Sequence, residues 1–255
     1  MLINAKTITG FKLHSLDGDI GSVKEFYFDD DYWGIRYLVV NTGNWLMGTQ
    51  VLISPKAIDR VDTKAREIGV SLTKKQIEES PPLDSDKPVS RQFEESYHRY
   101  YGWPTYWGAP TITGGYPYTM STPPPEPEKD MPKWDPHLRS TNAVEGYAIE
   151  ATDGELGNIV DFIVDDETWT IRYLVVDTGS WWPGRKVLIP TRWVDRISWG
   201  DAKAYVSINR ETIKDSPKYT DQSLLSREYE TELYRHYSRE GYWLDDKKTA
   251  SHSSR

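Results

Sequence analysis

Cysteine is absent from the 255 residues, which excludes disulfides, thiolate nucleophiles and Cys-bearing zinc sites. Long apolar runs are missing too. No window approaches the eighteen or so apolar residues of a membrane-spanning helix, and the opening MLINAKTITGFKLHSLDGD has no apolar core of signal-peptide length. No membrane span is expected, and the cytoplasm is the default location. Positive charge is short as well: 31 Lys and Arg stand against 39 Asp and Glu, for a formal charge of -8, and no basic run occurs. A duplex-binding protein must neutralise many phosphates, so a nucleic-acid partner is not expected.

Chemistry-bearing motifs are equally sparse. A Gly-x-Ser-x-Gly elbow and a Gly-rich phosphate loop are lacking. Histidine occurs five times, at positions 14, 98, 137, 236 and 252. The acids Asp29-Asp30-Asp31 and Asp165-Asp166-Glu167 are adjacent rather than alternate, which does not match a calcium loop. They read as solvated hairpin turns. No catalytic residue, metal or cofactor is expected.

What the chain does contain is a repeated phrase. IRYLVV runs from Ile35 to Val40 and again from Ile171 to Val176, followed each time by an acid or amide, Thr-Gly, one residue and Trp. The offset of 136 also pairs Asp17-Gly18 with Asp153-Gly154, Gly21 with Gly157, Trp33 with Trp169, Val51-Leu52-Ile53 with Val187-Leu188-Ile189, and Ser90-Arg91 with Ser226-Arg227. About half the positions from Asp29 to Val61 match their partners. A period this long means duplicated domains, and the length suits two of them. None of the histidines has a histidine partner in this register. A duplicated histidine site is therefore excluded.

Each copy has the local signals of β structure. Asp-Gly turns precede mainly apolar stretches, Val23 to Phe28 and Ile159 to Val164. In the repeated phrase both alternating faces are largely apolar, which predicts an interior strand. At the end of each copy the period changes. Behind Ser90 and Ser226 as N-caps, Phe93, Tyr97 and Tyr101, or Tyr229, Leu233 and Tyr237, recur every four residues along one side of a helix. The expected architecture is mainly β: two small β-barrels from internal duplication, each followed by a short helix. The boundaries are residues 1–101 and 139–244, with a Pro/Gly/aromatic-rich linker at 102–138 and a disordered tail at 245–255.

The runs DGDIGSVKEFYFDDDYWGIRYLVVNTGNWLMGTQVLISPKAI and ATDGELGNIVDFIVDDETWTIRYLVVDTGSWWPGRKVLIPTRWV resemble the PRC-barrel domain. This small barrel is named after the cytoplasmic part of the photosynthetic reaction-centre H subunit, and the helix-tailed layout resembles bacterial tandem PRC-barrel proteins. The resemblance implies a non-catalytic assembly or regulatory module with a protein partner, and an association with stress. It also fits two barrels packed as an intramolecular pseudo-dimer. The candidate partner-binding residues are Trp45, Trp181 and Trp182, placed in glycine-bounded loops. Arg36 and Arg172 join them, because a guanidinium on an apolar strand needs a partner. Asp59 and Asp195, or the acidic turn, are the internal choices, and an anion or protein is the external one. The competing function is a small-ligand or metal-sensing module with a pocket between the barrels.

Overall fold

The computed structural model describes residues 1–46, 48–81, 89, 91–106, 138–179, 184–220 and 225–244. Ser90, Trp181 and Trp182, most of the 102–138 stretch and the 245–255 tail lie outside the described residues.

The first repeat comprises β1 (Leu2–Asn4), α1 (Ala5–Ile8), β2 (Lys12–Ser15), β3 (Gly18–Asp29), β4 (Ile35–Asn41), β5 (Gln50–Ile53), β6 (Ile58–Asp62), β7 (Glu67–Val70), α2 (Lys74–Glu78) and α3 (Arg91–Tyr101). The second comprises β8 (Leu138–Ser140), α4 (Thr141–Val144), β9 (Ala148–Ala151), β10 (Gly154–Asp165), β11 (Thr170–Asp177), β12 (Lys186–Pro190), β13 (Val194–Ser198), β14 (Lys203–Val206), α5 (Arg210–Lys214) and α6 (Arg227–His236). Every element recurs 136 residues on, to within one residue at either end. Even the unusual backbone recurs: Trp33 and Trp169 both take left-handed conformations, with φ of 58° and 52°.

The second glycine of each Asp-Gly-x-x-Gly turn has a steric reason. A Cβ on Gly21 would fall 2.0 Å from the Asn41 carbonyl oxygen, and one on Gly157 would fall 2.0 Å from that of Asp177. Both residues also have φ above 150°. Only glycine lets the end of the repeated strand pass this close.

Two compact units result, and neither is one continuous stretch. One holds residues 12–30 and 36–139, and the other residues 1–11, 31–35 and 140–255. Within the first, the sheet order is β5-β4-β3-β2-β7-β6, with β8 also paired to β3. Within the second it is β12-β11-β10-β9-β14-β13, with β1 also paired to β10. β2 runs parallel to β7, and β9 parallel to β14. Among the described residues the hydrogen-bonded ladders do not close, so each sheet is barrel-like without being a sealed barrel.

The twelve-residue β10 serves two partners in succession. Its Gly154–Asn158 end pairs with β9, and its Ile163–Asp165 end with β1. Register shifts at Glu155/Gly157, Ile159/Asp161 and Ile163/Val164 bend it between them. The repeated phrase forms interior strands, as expected: Tyr37, Leu38, Val39 and Val40, and their partners Tyr173 to Val176, are all fully buried.

The closing helices take the predicted side. Tyr97 is fully buried in a cluster with Tyr37, Val39, Leu52, Val89 and Leu138, and Phe93, Tyr101 and Trp103 pack around it. Its hydroxyl donates to the Leu52 carbonyl at 2.7 Å. In the second repeat the Ser226 hydroxyl accepts from the Tyr229 N–H at 3.3 Å, an N-cap as read from the sequence.

The acidic turns require a correction. Asp29 is 3% exposed and ends β3 rather than standing in a solvated turn. Asp30 pairs with Arg139 at 3.3 Å, and of these three only Asp31 is exposed. The neighbouring arginines draw the first acid inward, because a half-buried guanidinium on an apolar strand is satisfied by a carboxylate beside it.

Candidate functional site

Arg36 sits on β4 and Arg172 on β11, each one residue before a buried tyrosine. Arg36 Nη2 lies 2.5 Å from Asp29 Oδ2. In the second repeat Arg172 donates to Asp165 Oδ2 through Nε at 3.2 Å and Nη2 at 3.0 Å, and Nη2 also reaches Thr168 Oγ1 at 3.3 Å. The acidic segment, not Asp59 or Asp195, supplies the counterion. Burial raises the Asp165 pKa, but hydrogen bonds from Arg172, Thr168 and the Glu167 N–H outweigh it and hold the carboxyl below the usual aspartate range.

An aromatic ring covers each arginine. Arg36 Cζ lies 3.8 Å from the Tyr106 ring centroid, and Arg172 Cζ 4.1 Å from that of Tyr242. These rings connect the arginines to a buried glutamate from the closing helix. Tyr242 donates to Glu230 Oε1 at 2.9 Å, and Tyr173 donates to the same oxygen at 2.6 Å. Arg227 Nη1 meets Glu230 Oε2 at 2.9 Å. In the first repeat Tyr106 donates to Glu94 Oε1 at 2.9 Å and Tyr37 does so at 3.1 Å. Burial, then the nearby charges, drives the Tyr37 and Tyr173 hydroxyls far above the ordinary tyrosine range. They remain protonated donors, which is the state a buried carboxylate needs to be satisfied.

The network therefore fastens helix to sheet in each unit. Sequence reasoning found the arginines but missed Glu94, Glu230, Tyr106 and Tyr242. The signal was present: Glu94 and Glu230, and Tyr106-Trp107 and Tyr242-Trp243, are each 136 residues apart. Trp103 and Tyr106 pack back onto the first unit, so the start of the linker is ordered there: Trp103 stacks on Tyr101 at 4.7 Å.

The Thr-Gly-x-Trp loop is a separate feature. Thr42 Oγ1 donates to the Thr49 carbonyl at 2.7 Å, Gly43 N–H to Asn41 Oδ1 at 3.1 Å, and Trp45 N–H to the Thr42 carbonyl at 3.3 Å. Thr178 and Gly179 repeat the first two bonds. Trp45 is half-buried, with Lys74 Nζ 5.3 Å from its ring centroid. The loop is thus braced from within and leaves the indole half-buried.

The described histidines are each held by a hydrogen bond. His14 meets Asp19 at 2.6 Å, His98 the Pro104 carbonyl at 3.0 Å, and His236 the Thr212 carbonyl at 2.7 Å. Burial lowers the His98 pKa. Among the described residues, no group of three or more His, Asp or Glu stands where it could hold a metal ion, and no helix is long and apolar enough to cross a membrane.

Comparison with known proteins matches the PRC-barrel domain family to residues 140–213. The second repeat is thus similar to a PRC-barrel domain. The first repeat, outside the matched span, reproduces the strand order of the second element by element at the 136-residue spacing. A 93-residue stretch is 31% identical to an uncharacterized protein of Deinococcus radiodurans, covering 36% of this chain and 33% of that protein. The alignment thus spans about a third of that relative's length.

Proposed function

We propose that this chain is a non-catalytic adaptor, using two PRC-barrel modules to hold a protein partner. The observation that carries this reading is the Trp45 loop. Its backbone is fixed by internal hydrogen bonds while the indole stays half-exposed. A large aromatic on a preorganised loop loses little entropy on binding, which is the character of an interface hot spot. Trp181 and Trp182 hold the equivalent place in the second repeat's sequence, while Arg36 and Arg172, paired with Asp29 and Asp165 under the Tyr106 and Tyr242 rings, serve their own units.

The test is partner capture with tagged full-length chain, followed by titration of each captured protein against Trp45→Ala and Trp181→Ala. Affinity should fall at least tenfold in one of the two variants while the circular dichroism stays unchanged. Equal affinity in both variants would remove the loops from the reading and leave the modules without an assigned partner surface.

A further inference from the structure

Two short strands stand in sheets that the rest of their repeats do not form. β1 opens the first repeat yet pairs with β10, placing Leu2 opposite Asp165, Ile3 opposite Val164 and Asn4 opposite Ile163. β8 opens the second repeat and pairs with β3. Leu138 is 5% exposed within the cluster around Tyr37 and Tyr97.

The seat of β1 is built in detail. The Asn4 amide donates to Asp161 Oδ2 and to the Tyr219 hydroxyl, both at 2.9 Å. Asp161 Oδ1 accepts from the Lys6 N–H at 3.2 Å and from the Phe162 N–H at 2.8 Å. Ile3, Ala5 and Ile8 are 7%, 4% and 0% exposed. A second segment of the first repeat lies in this same unit: residues 31–35. Ile35 N–H donates to the Trp169 carbonyl at 2.7 Å, and Ile171 N–H to the Trp33 carbonyl at 2.8 Å.

We propose that the Ile163–Asp165 edge of β10, and the matching edge of β3, are strand-docking sites whose occupant is the opening strand of the other repeat. Neither half of the chain is then a complete module. The mode is strand addition: backbone bonds hold the strand, and the pockets for Ile3 and Leu138 select an apolar residue. A sheet edge left without this strand would expose unpaired backbone groups. Duplication thus supplies each sheet with its missing strand.

The absence of cysteine makes this directly testable in the full chain. A protease recognition sequence is inserted between Glu128 and Lys129, and two double variants are made: Ile3→Cys with Val164→Cys, and Ile3→Cys with Phe28→Cys. The second represents β1 lying on its own repeat, since Phe28 is the register partner of Val164. After oxidation and cleavage, the first variant should run as linked halves on a non-reducing denaturing gel, and the second, whose two cysteines both lie in the first half, should keep both thiols open to alkylation. Loss of both free thiols to a disulfide within the first half in the second variant, or a folded first variant that stays unlinked, overturns the proposal. If the first variant does not fold, the native mass of the cleaved parent decides. A one-to-one pair of halves is expected, and separated halves overturn it.

Discussion

Glu230 is 2% exposed, and two tyrosine hydroxyls and a guanidinium converge on its carboxylate. Glu230→Ala should therefore leave buried donors without an acceptor and lower stability by roughly 2–3 kcal/mol, against about 1 kcal/mol for Tyr173→Phe. Urea unfolding of the two variants checks the ratio. Asp165 makes a pH prediction. Its folded pKa lies below the unfolded one, so the stability it contributes is complete above the unfolded value near 4 and is lost as pH falls through the folded value. Asp165→Asn should destabilise the chain at pH 7 and lose this effect as pH falls through the folded value, measured by thermal melts from pH 7 downward. The sequence made the arginines legible because a charge interrupts an apolar strand. It hid Glu94 and Glu230 because an acid among the charged residues of a helix looks like part of a solvated face. Only the 136-residue register distinguishes them, when carried past the helices.

At the scale of elements, interior strands, turn glycines and closing helices were readable, since each follows from local pattern. Gly21 and Gly157 illustrate how far that reading goes. The turn signal marks them, but only the fold shows the Asn41 and Asp177 carbonyls passing over them. Gly21→Ala should cost more than Gly43→Ala, where φ is also positive but nothing lies within 4 Å of the added Cβ. The second change carries only the left-handed penalty of roughly 1–2 kcal/mol. The first adds a backbone clash that only a shift of strands relieves. Denaturant midpoints of the two variants test this, and equal midpoints would mean that β3 and β4 adjust freely. The opening strands were not legible. Three residues are too few for a periodic signal, and their pairing partners lie more than a hundred residues away.

For the whole molecule, the register identifies a duplication but cannot say which sheet receives each strand. An opening strand that pairs within its own repeat and one that pairs with the other present the same residues in the same order. The difference is one of connectivity, set by long-range packing rather than by local preference. It has a measurable consequence, because a defect introduced near the start of the first repeat should be felt in the second. Ile3 is 7% exposed opposite Val164, and Val164 is fully buried. Ile3→Ser removes most of an apolar side chain from that seat, a loss of about 2–4 kcal/mol by analogy with large-to-small core substitutions. Local opening of the β10 end should become easier by the same amount, so amide exchange at Ile163, Val164 and Asp165 should accelerate on the order of a hundredfold. Their 136-residue counterparts Tyr27, Phe28 and Asp29 lie on β3, which pairs with β8 rather than β1, and should keep the protection they have in the parent chain. Acceleration confined to Tyr27–Asp29 would place the opening strand back on its own repeat, whatever the cross-linking gels show.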